Sequence, residues 1–291
     1  MLDEAWLGLL AVALASCGRP PPASKFPDGD AALARMRATQ ACSRGVTADA
    51  RLDYIGPRGR LRGDVMYIVA APDRVRLDLY SPFGATLSTL TSDGEHFELY
   101  DPRAKRYFYG PANACNLARF TQVSLPPAVL VDILRGEAPV LVHGAGAATI
   151  RWESDRYVVS IAGTRGASER VELAPLPEDF DRPWNEQRVR VLKISVEQLG
   201  VPLYDVELSD HERAATARPR VDPDGLEPPI PPSGPSCDAE LPQRIHIEVP
   251  SEGHDLLLAL KEATHNPPLV QGVFSQERPS GVRAAYSPCA P

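Results

Sequence analysis

Five cysteines, six histidines and a short glycine cluster are the residues that could carry chemistry, and all but one read as structural. The exception is Cys17. It closes an apolar, small-residue run, Ala5–Ser16, too short to span a ~30 Å hydrocarbon core, which takes about twenty helical residues. Such a run can serve as the core of an export signal. Its last residues, Leu14-Ala15-Ser16-Cys17, have the pattern of a bacterial lipoprotein signal, in which the Cys is lipidated and becomes the new N-terminus. Asp3 and Glu4 stand where an export signal carries Lys or Arg, and basic residues upstream of Met1 would restore the pattern. The plain alternative is an amphipathic N-terminal helix with an incidental Cys. The polar, Pro-rich stretch that follows, 18–29, reads as a tether and favours export.

The other cysteines are Cys42, Cys115, Cys237 and Cys289, an even number that suggests two disulfides in an exported chain. Three pairings exist. Cys42–Cys115 with Cys237–Cys289 keeps each bridge within one half of the chain and is the favoured one; four buried thiols are the alternative. No Cys or His spacing suggests a metal site, and no cofactor is expected. A Gly-x-Ser-x-Gly elbow is absent. Gly144-Ala145-Gly146 lacks the third glycine and the following helix of a nucleotide loop, so it reads as a hairpin loop. Arg62-Gly63-Asp64 falls inside a predicted strand. His246 and His254 lie on separate predicted strands that could bring them together. The expectation is a protein that is not an enzyme.

The elements that would position these residues are strands. Period-2 alternation marks Val46–Ile55, Leu61–Val69, Arg74–Tyr80, Ala85–Thr91 and Glu95–Tyr100, with turn chemistry at Gly56-Pro57-Arg58-Gly59, Ala71-Pro72-Asp73, Ser81-Pro82-Phe83-Gly84 and Ser92-Asp93-Gly94. Short connections imply antiparallel neighbours with one apolar and one charged face. Further strands follow over 147–153, 157–162, 169–174, 187–197, 202–209, 244–249 and 255–261. A helix capped by Asp28 or Asp30 spans 31 to about 41, with Gly45 ending it. Residues 110–123 read as irregular. Ser124 is the expected cap of a second helix with Pro126 and Pro127 in its first turn and Leu130, Ile133 and Leu134 as an apolar stripe. The fold class is mainly β (α+β): a curved antiparallel half-barrel of about eleven strands with two or three short helices as lid. The domain spans 30–278, with a Pro-rich surface excursion over 211–240 and a loose tail over 279–291.

Composition is that of a globular chain: 24% charged and 43% apolar over 291 residues, with thirty prolines concentrated in 20–27 and 219–235. A net charge of −7 with interspersed signs argues against nucleic acid as partner. What remains as a candidate site is the apolar sheet face. It is either a sealed core or a cavity for acyl chains, whose burial contributes ~0.8 kcal/mol per CH₂.

The run Leu77–Pro139 resembles the LolA/LolB-like superfamily of outer-membrane lipoprotein carriers and receptors. The residues that carry the likeness are Ser81-Pro82-Phe83-Gly84, Asp93-Gly94 followed by Phe97-x-Leu99-x-Asp101, Tyr107-Phe108-Tyr109, and Leu125-Pro126 leading into Leu130, Ile133, Leu134, Arg135 and Gly136. Leu241-Pro242-x-x-Ile245 and Asn266 resemble the family's closing strands. The resemblance implies a half-open barrel whose apolar interior holds acyl chains of lipids or lipoproteins, lined here by Val75, Leu77, Leu79, Leu87, Phe97 and Leu99, with Leu130, Ile133 and Leu134 on the lid. It also implies a membrane-insertion loop with Phe83 at its tip. The expected setting is the periplasmic face of the outer membrane, with the chain anchored in membrane lipid through Cys17, an envelope protein as a further partner, and a structural scaffold as the alternative role.

Overall fold

The computed structural model describes residues 19–81 and 83–289. Cys17 and the rest of the signal segment lie outside the described residues. Among the described residues the chain forms one open, fifteen-stranded sheet and three α-helices. The strands are β1 (Gly45–Gly56), β2 (Gly59–Ala70), β3 (Arg74–Tyr80), β4 (Thr86–Ser92), β5 (His96–Asp101), β6 (Arg106–Pro111), β7 (Ala148–Glu153), β8 (Arg156–Ala162), β9 (Ala167–Pro175), β10 (Val189–Gln198), β11 (Val201–Arg213), β12 (Ala215–Thr216), β13 (Glu240–Val249), β14 (His254–His265) and β15 (Arg283–Tyr286). The helices are α1 (Gly29–Gln40), α2 (Ala114–Thr121) and α3 (Pro127–Leu134). No helix among the described residues is long and apolar enough to cross a membrane.

Consecutive hairpins build two meanders, β1 to β6 and β7 to β11, and β13 and β14 join them: β14 pairs antiparallel with β1, and β13 with β11. Period-2 burial keeps one face apolar. Val65, Tyr67 and Val69 on β2 and Val75, Leu77 and Leu79 on β3 are buried. Helix α1 packs on β7, β8 and β10, α3 on β2 and β3, and α2 on β4 and β5. Antiparallel turns alternate between two ends of the sheet. The turns at 56–59, 81–85, 102–105, 163–166, 199–200 and 250–253 fall at one end, and those at 71–73, 93–95 and 154–155 at the other.

Several expectations are corrected. Residues 114–121 form helix α2, capped by Asn113, which accepts from the Asn116 amide at 3.0 Å. At eight residues α2 is short, but Leu117 and Phe120 one turn apart and Asn113 as cap were usable signals in the sequence. Pro126, not Ser124, precedes α3, without a side-chain cap. Gly45 opens β1, and α1 stops at Gln40. The tether is packed down: Phe26 is buried, edge-on to Tyr157, and Ser24 Oγ accepts from the Trp184 amide at 2.9 Å. Strand β11 runs into the expected excursion as far as Arg213. The tail is held, because β15 adds a parallel edge to β6, and the sheet has fifteen strands against the eleven or so expected. Gly110 permits this close approach, since a Cβ there would sit 2.2 Å from the Ser287 carbonyl oxygen.

The disulfides are Cys42–Cys237 and Cys115–Cys289, not the pairs favoured within each half. The sheet explains this. Pairing of β14 with β1 returns the second half of the chain to the end of α1, and pairing of β15 with β6 brings Cys289 to the start of α2. Proximity in sequence gives no hint of either. The bridges close loops of 195 and 174 residues. A chain-entropy estimate gives about 5 kcal/mol for each, and measured values run about 2–5. Non-reducing peptide mapping should therefore recover these two crosslinks, and Cys115→Ser with Cys289→Ser should lower stability by about 2–4 kcal/mol and release the amides of 283–287 to hydrogen exchange. A Cys42–Cys115 crosslink would contradict the topology.

Candidate functional site

The apolar face is covered most deeply by α3. Its sequence, Pro-Ala-Val-Leu-Val-Asp-Ile-Leu, is apolar nearly all round, so the helix sinks into the half-barrel rather than lying on it as a one-sided lid. Leu130, Val131, Ile133 and Leu134 are all buried. At about 1.5–3 kcal/mol each, their burial contributes roughly 6–12 kcal/mol gross.

One end of α3 is pinned. Gly136, at φ 77°, ends the helix, and the Arg135 guanidinium is buried there. Its Nε donates to the Ser43 carbonyl at 2.8 Å, its second terminal nitrogen donates to the same oxygen, and Asp132 and Glu137 each lie 3.5 Å from it. Burial pushes Asp132 up to about 6 and Glu137 up to about 7, against the opposing pull of Arg135. Tyr67, fully buried on β2, donates from its hydroxyl to the Leu134 carbonyl at 3.3 Å.

The other end is less constrained. Between α3, the C-terminal turn of α2 and strands β1, β2, β3, β13 and β14 runs an apolar cleft. Leu77 and Tyr67 face Leu130 and Leu134 across it, and Leu61, Phe120 and Gln122 form its mouth. Its lining holds no carboxylate, lysine or histidine. Only about 40 Å³ is unfilled, room for about three waters and far below the ~300 Å³ at which ligand pockets begin. The mouth opens onto an outer groove of about 420 Å³ that shares Leu61, Phe120 and Gln122. The end of α2 is tied to the β1–β2 turn by one exposed hydrogen bond, which Arg58 donates to the Gln122 side chain, and Gln122 itself sits at φ 60° as the cap of α2. Nearby, the Tyr54 hydroxyl and His254 Nδ1 share a hydrogen bond of 2.8 Å.

The expected cavity residues divide three ways. Leu77, Leu130 and Leu134 line the cleft; Leu79, Leu87 and Leu99 line the outer groove; Val75, Phe97 and Ile133 are sealed in the core. The broad hollow anticipated from the sequence is thus largely filled by the protein's own side chains. Sequence reasoning passed over the β1 and β14 contributors, Leu52, Leu256 and Leu258, although their spacing of two was a usable signal. Phe83 is 97% exposed on the β3–β4 loop, at the same end of the sheet as the cleft mouth. His246 and His254 do not meet: His246 Nε2 lies 3.0 Å from Asp255, and His254 Nε2 lies 3.3 Å from Glu252. His246, Glu248 and Asp255 do converge on the charged outer face, away from the cleft.

No protein-family model matches the chain, and no curated protein matches it. Its shape has solved counterparts. A DUF1329 family protein from Desulfovibrio piger superposes with a TM-score of 0.52 over 84% of this chain and 95% of that one, at 10% identity. A LolA superfamily protein from Nitrosomonas europaea does so with a TM-score of 0.50 over 86% and 99%, at 9% identity. The fold is LolA/LolB-like. In this LolA-like fold the open sheet and its helical cover are the shared features; at such low identity the likeness says nothing of ligand or partner.

The pinned end makes a pH prediction. Glu137 titrates near 7 in the folded chain against an ordinary value near 4.5, so folding favours its protonated form. Its destabilising effect is absent below pH 4.5 and grows as pH rises to 7. Glu137→Gln removes that effect. The stability of the variant relative to the parent should rise by about 1–3 kcal/mol between pH 4.5 and 8 in denaturant titrations. Buried His211 and His265, both shifted down, slope the opposite way but cancel in the difference. A flat difference would show that Glu137 is ionised freely in the folded state.

Proposed function

We propose that this protein is an envelope lipoprotein, non-enzymatic, that takes an acyl chain of a lipid or lipidated protein into the cleft beneath α2 and α3. The observation that carries the reading is an apolar slot opening onto a wider groove, under a cover pinned by buried polar groups at one end and held at the other by the burial of Val123 and Leu125 and one exposed hydrogen bond. In this reading the cleft with its ~40 Å³ of free space is the closed form. Loading requires the 120–126 segment to move aside while Arg135 keeps α3 in place. Affinity would then follow buried apolar area, ~0.8 kcal/mol per CH₂. Disulfides suit an exported protein, and the LolA superfamily likeness agrees with an envelope setting.

The proposed anchor is lipidated Cys17 in the outer membrane, on its periplasmic face. Arg19, two residues on, accepts through its carbonyl from Trp152 Nε1 at 3.0 Å and stacks on Phe180, at the end of the sheet opposite Phe83. Two residues of chain reach at most about 7 Å. An acyl anchor on Cys17 would therefore enter its membrane near that end, and Phe83, with the cleft mouth, would meet a partner or lipid surface other than the one holding the anchor. A second reading, a scaffold with a filled barrel, is favoured by the small enclosed volume.

Two measurements separate them. A carrier should yield bound lipid in mass spectra after mild purification, or take up a fluorescent fatty acid. Leu61→Trp, at the half-exposed mouth, should cut uptake about ten-fold without lowering stability by more than about 1 kcal/mol. Arg58→Ala should speed uptake while costing about 0.5–1.5 kcal/mol. A protein that neither carries nor takes up lipid is a scaffold. Fractionation of Cys17→Ser tests the anchor, since a variant that still pellets with membranes is not held by an acyl chain at that residue.

A further inference from the structure

We propose that the cleft end of the sheet docks onto an anionic lipid surface, through the apolar tip of the β10–β11 hairpin and the basic turns beside it. The tip carries Leu199, Val201 and Leu203, exposed by 79%, 53% and 39%. Strand β11 pairs with β13 only from Asp205 onward, so Val201–Tyr204 make no strand pairing on that side. Leu199 and Gly200, both at positive φ, make the turn, and the Leu199 amide donates to the Gly166 carbonyl at 2.9 Å, which fixes the tip against the adjacent β8–β9 turn. Nothing in the fold buries these side chains, and no step in acyl-chain uptake uses them.

Charge selects the partner. The turns at this end carry Arg58, Arg103, Lys105 and Arg165, all exposed, against two acidic residues, Glu252 and Asp101, whose carboxylate accepts from the Ala104 amide in the 102–105 turn. The hairpin turns at the opposite end carry Asp73, Asp93, Glu95 and Asp155, with Arg74 and Arg156 as their basic neighbours. This polarity exists in a chain whose net charge is −7, so it is not a by-product of composition. Aliphatic side chains exposed at a tip, flanked by separated cations, suit a deformable layer of anionic headgroups over an apolar interior. A protein partner would more naturally meet a continuous apolar patch. Because Arg19 leaves the body at the other end, an anchored molecule would present this surface to a second bilayer, some 40 Å away along the twelve-residue strands β1 and β2. The inference does not depend on whether the cleft loads lipid.

The test uses the full chain with Cys17→Ser, so that no acyl anchor contributes, and vesicles of phosphatidylcholine alone or mixed with phosphatidylglycerol. The chain should co-sediment with the mixed vesicles only, and high salt should release it. Lys105→Ala and Arg165→Ala should each weaken binding about five-fold, the equivalent of ~1 kcal/mol per basic residue. Leu199→Ser with Val201→Ser should weaken it at least ten-fold, and Asp155→Asn at the far end should leave it unchanged. Hydrogen exchange on the otherwise unaltered chain, which needs none of these variants to fold, should show residues 197–204 protected by the mixed vesicles. No sedimentation with the mixed vesicles, equal sedimentation with neutral ones, or binding that leaves 197–204 unprotected would overturn the proposal. Each result stands apart from fatty-acid uptake, which reads the cleft.

Discussion

One constraint organises this molecule: a long antiparallel sheet has a continuous apolar face, and among the described residues only three short α-helices cover it. An exposed face of that size would not stay in water. The sheet therefore curves around its covers, and α3 is drawn inside as part of the core. The pattern of filled and unfilled space follows. Where α1 meets β7, β8 and β10 and where α3 meets β2 and β3, side chains interdigitate. Where α2 runs out at Gln122, the cover is thin and the apolar cleft remains.

The polar groups decide which part of the cover is fixed. A guanidinium buried beside two carboxylates is expensive to desolvate and persists only when its donors are used. Arg135 meets that condition through the Ser43 carbonyl, Asp132 and Glu137, which ties the C-terminal end of α3 to the segment between α1 and β1. The start of α2 is fixed differently, by Cys115–Cys289 and by Asn116, whose side chain exchanges hydrogen bonds with Ser287. Between these two fixed points lies the stretch from Phe120 to Pro126, whose tie to the β1–β2 hairpin is one exposed hydrogen bond. The middle of this cover is held by the buried side chains of Val123 and Leu125 rather than by buried polar ties, so moving it exposes apolar surface without breaking a buried ion pair.

The sheet was legible in the sequence where alternation and turn chemistry agreed. Val75, Leu77 and Leu79 against Arg74, Arg76 and Asp78 give β3 almost residue for residue, and Pro126-Pro127 before Leu130 gives α3. What escaped depends on partners distant in the chain. Helix α2 is specified by Asn113 and by the tail that covers it; β15 is a strand because β6 offers it an edge. The bridge Cys42–Cys237 follows from the β1–β14 pairing, which no local pattern announces. The cavity residues were half legible for the same reason. Alternation tells which face Val75 and Leu77 share, but only packing tells that Val75 is sealed while Leu77 borders open space.

In the proposed carrier role, the cleft is the resting state of a cover that opens between its two fixed points. The most direct measurement is a crystal structure of the chain in complex with a long-chain fatty acid. The account predicts an acyl chain lying between Tyr67 and Leu77 on one side and Leu130 and Leu134 on the other, with residues 120–126 displaced and the contact of Arg135 with Ser43 intact. A cleft left closed at saturating fatty acid, or entry that instead tears Arg135 from Ser43, would contradict it.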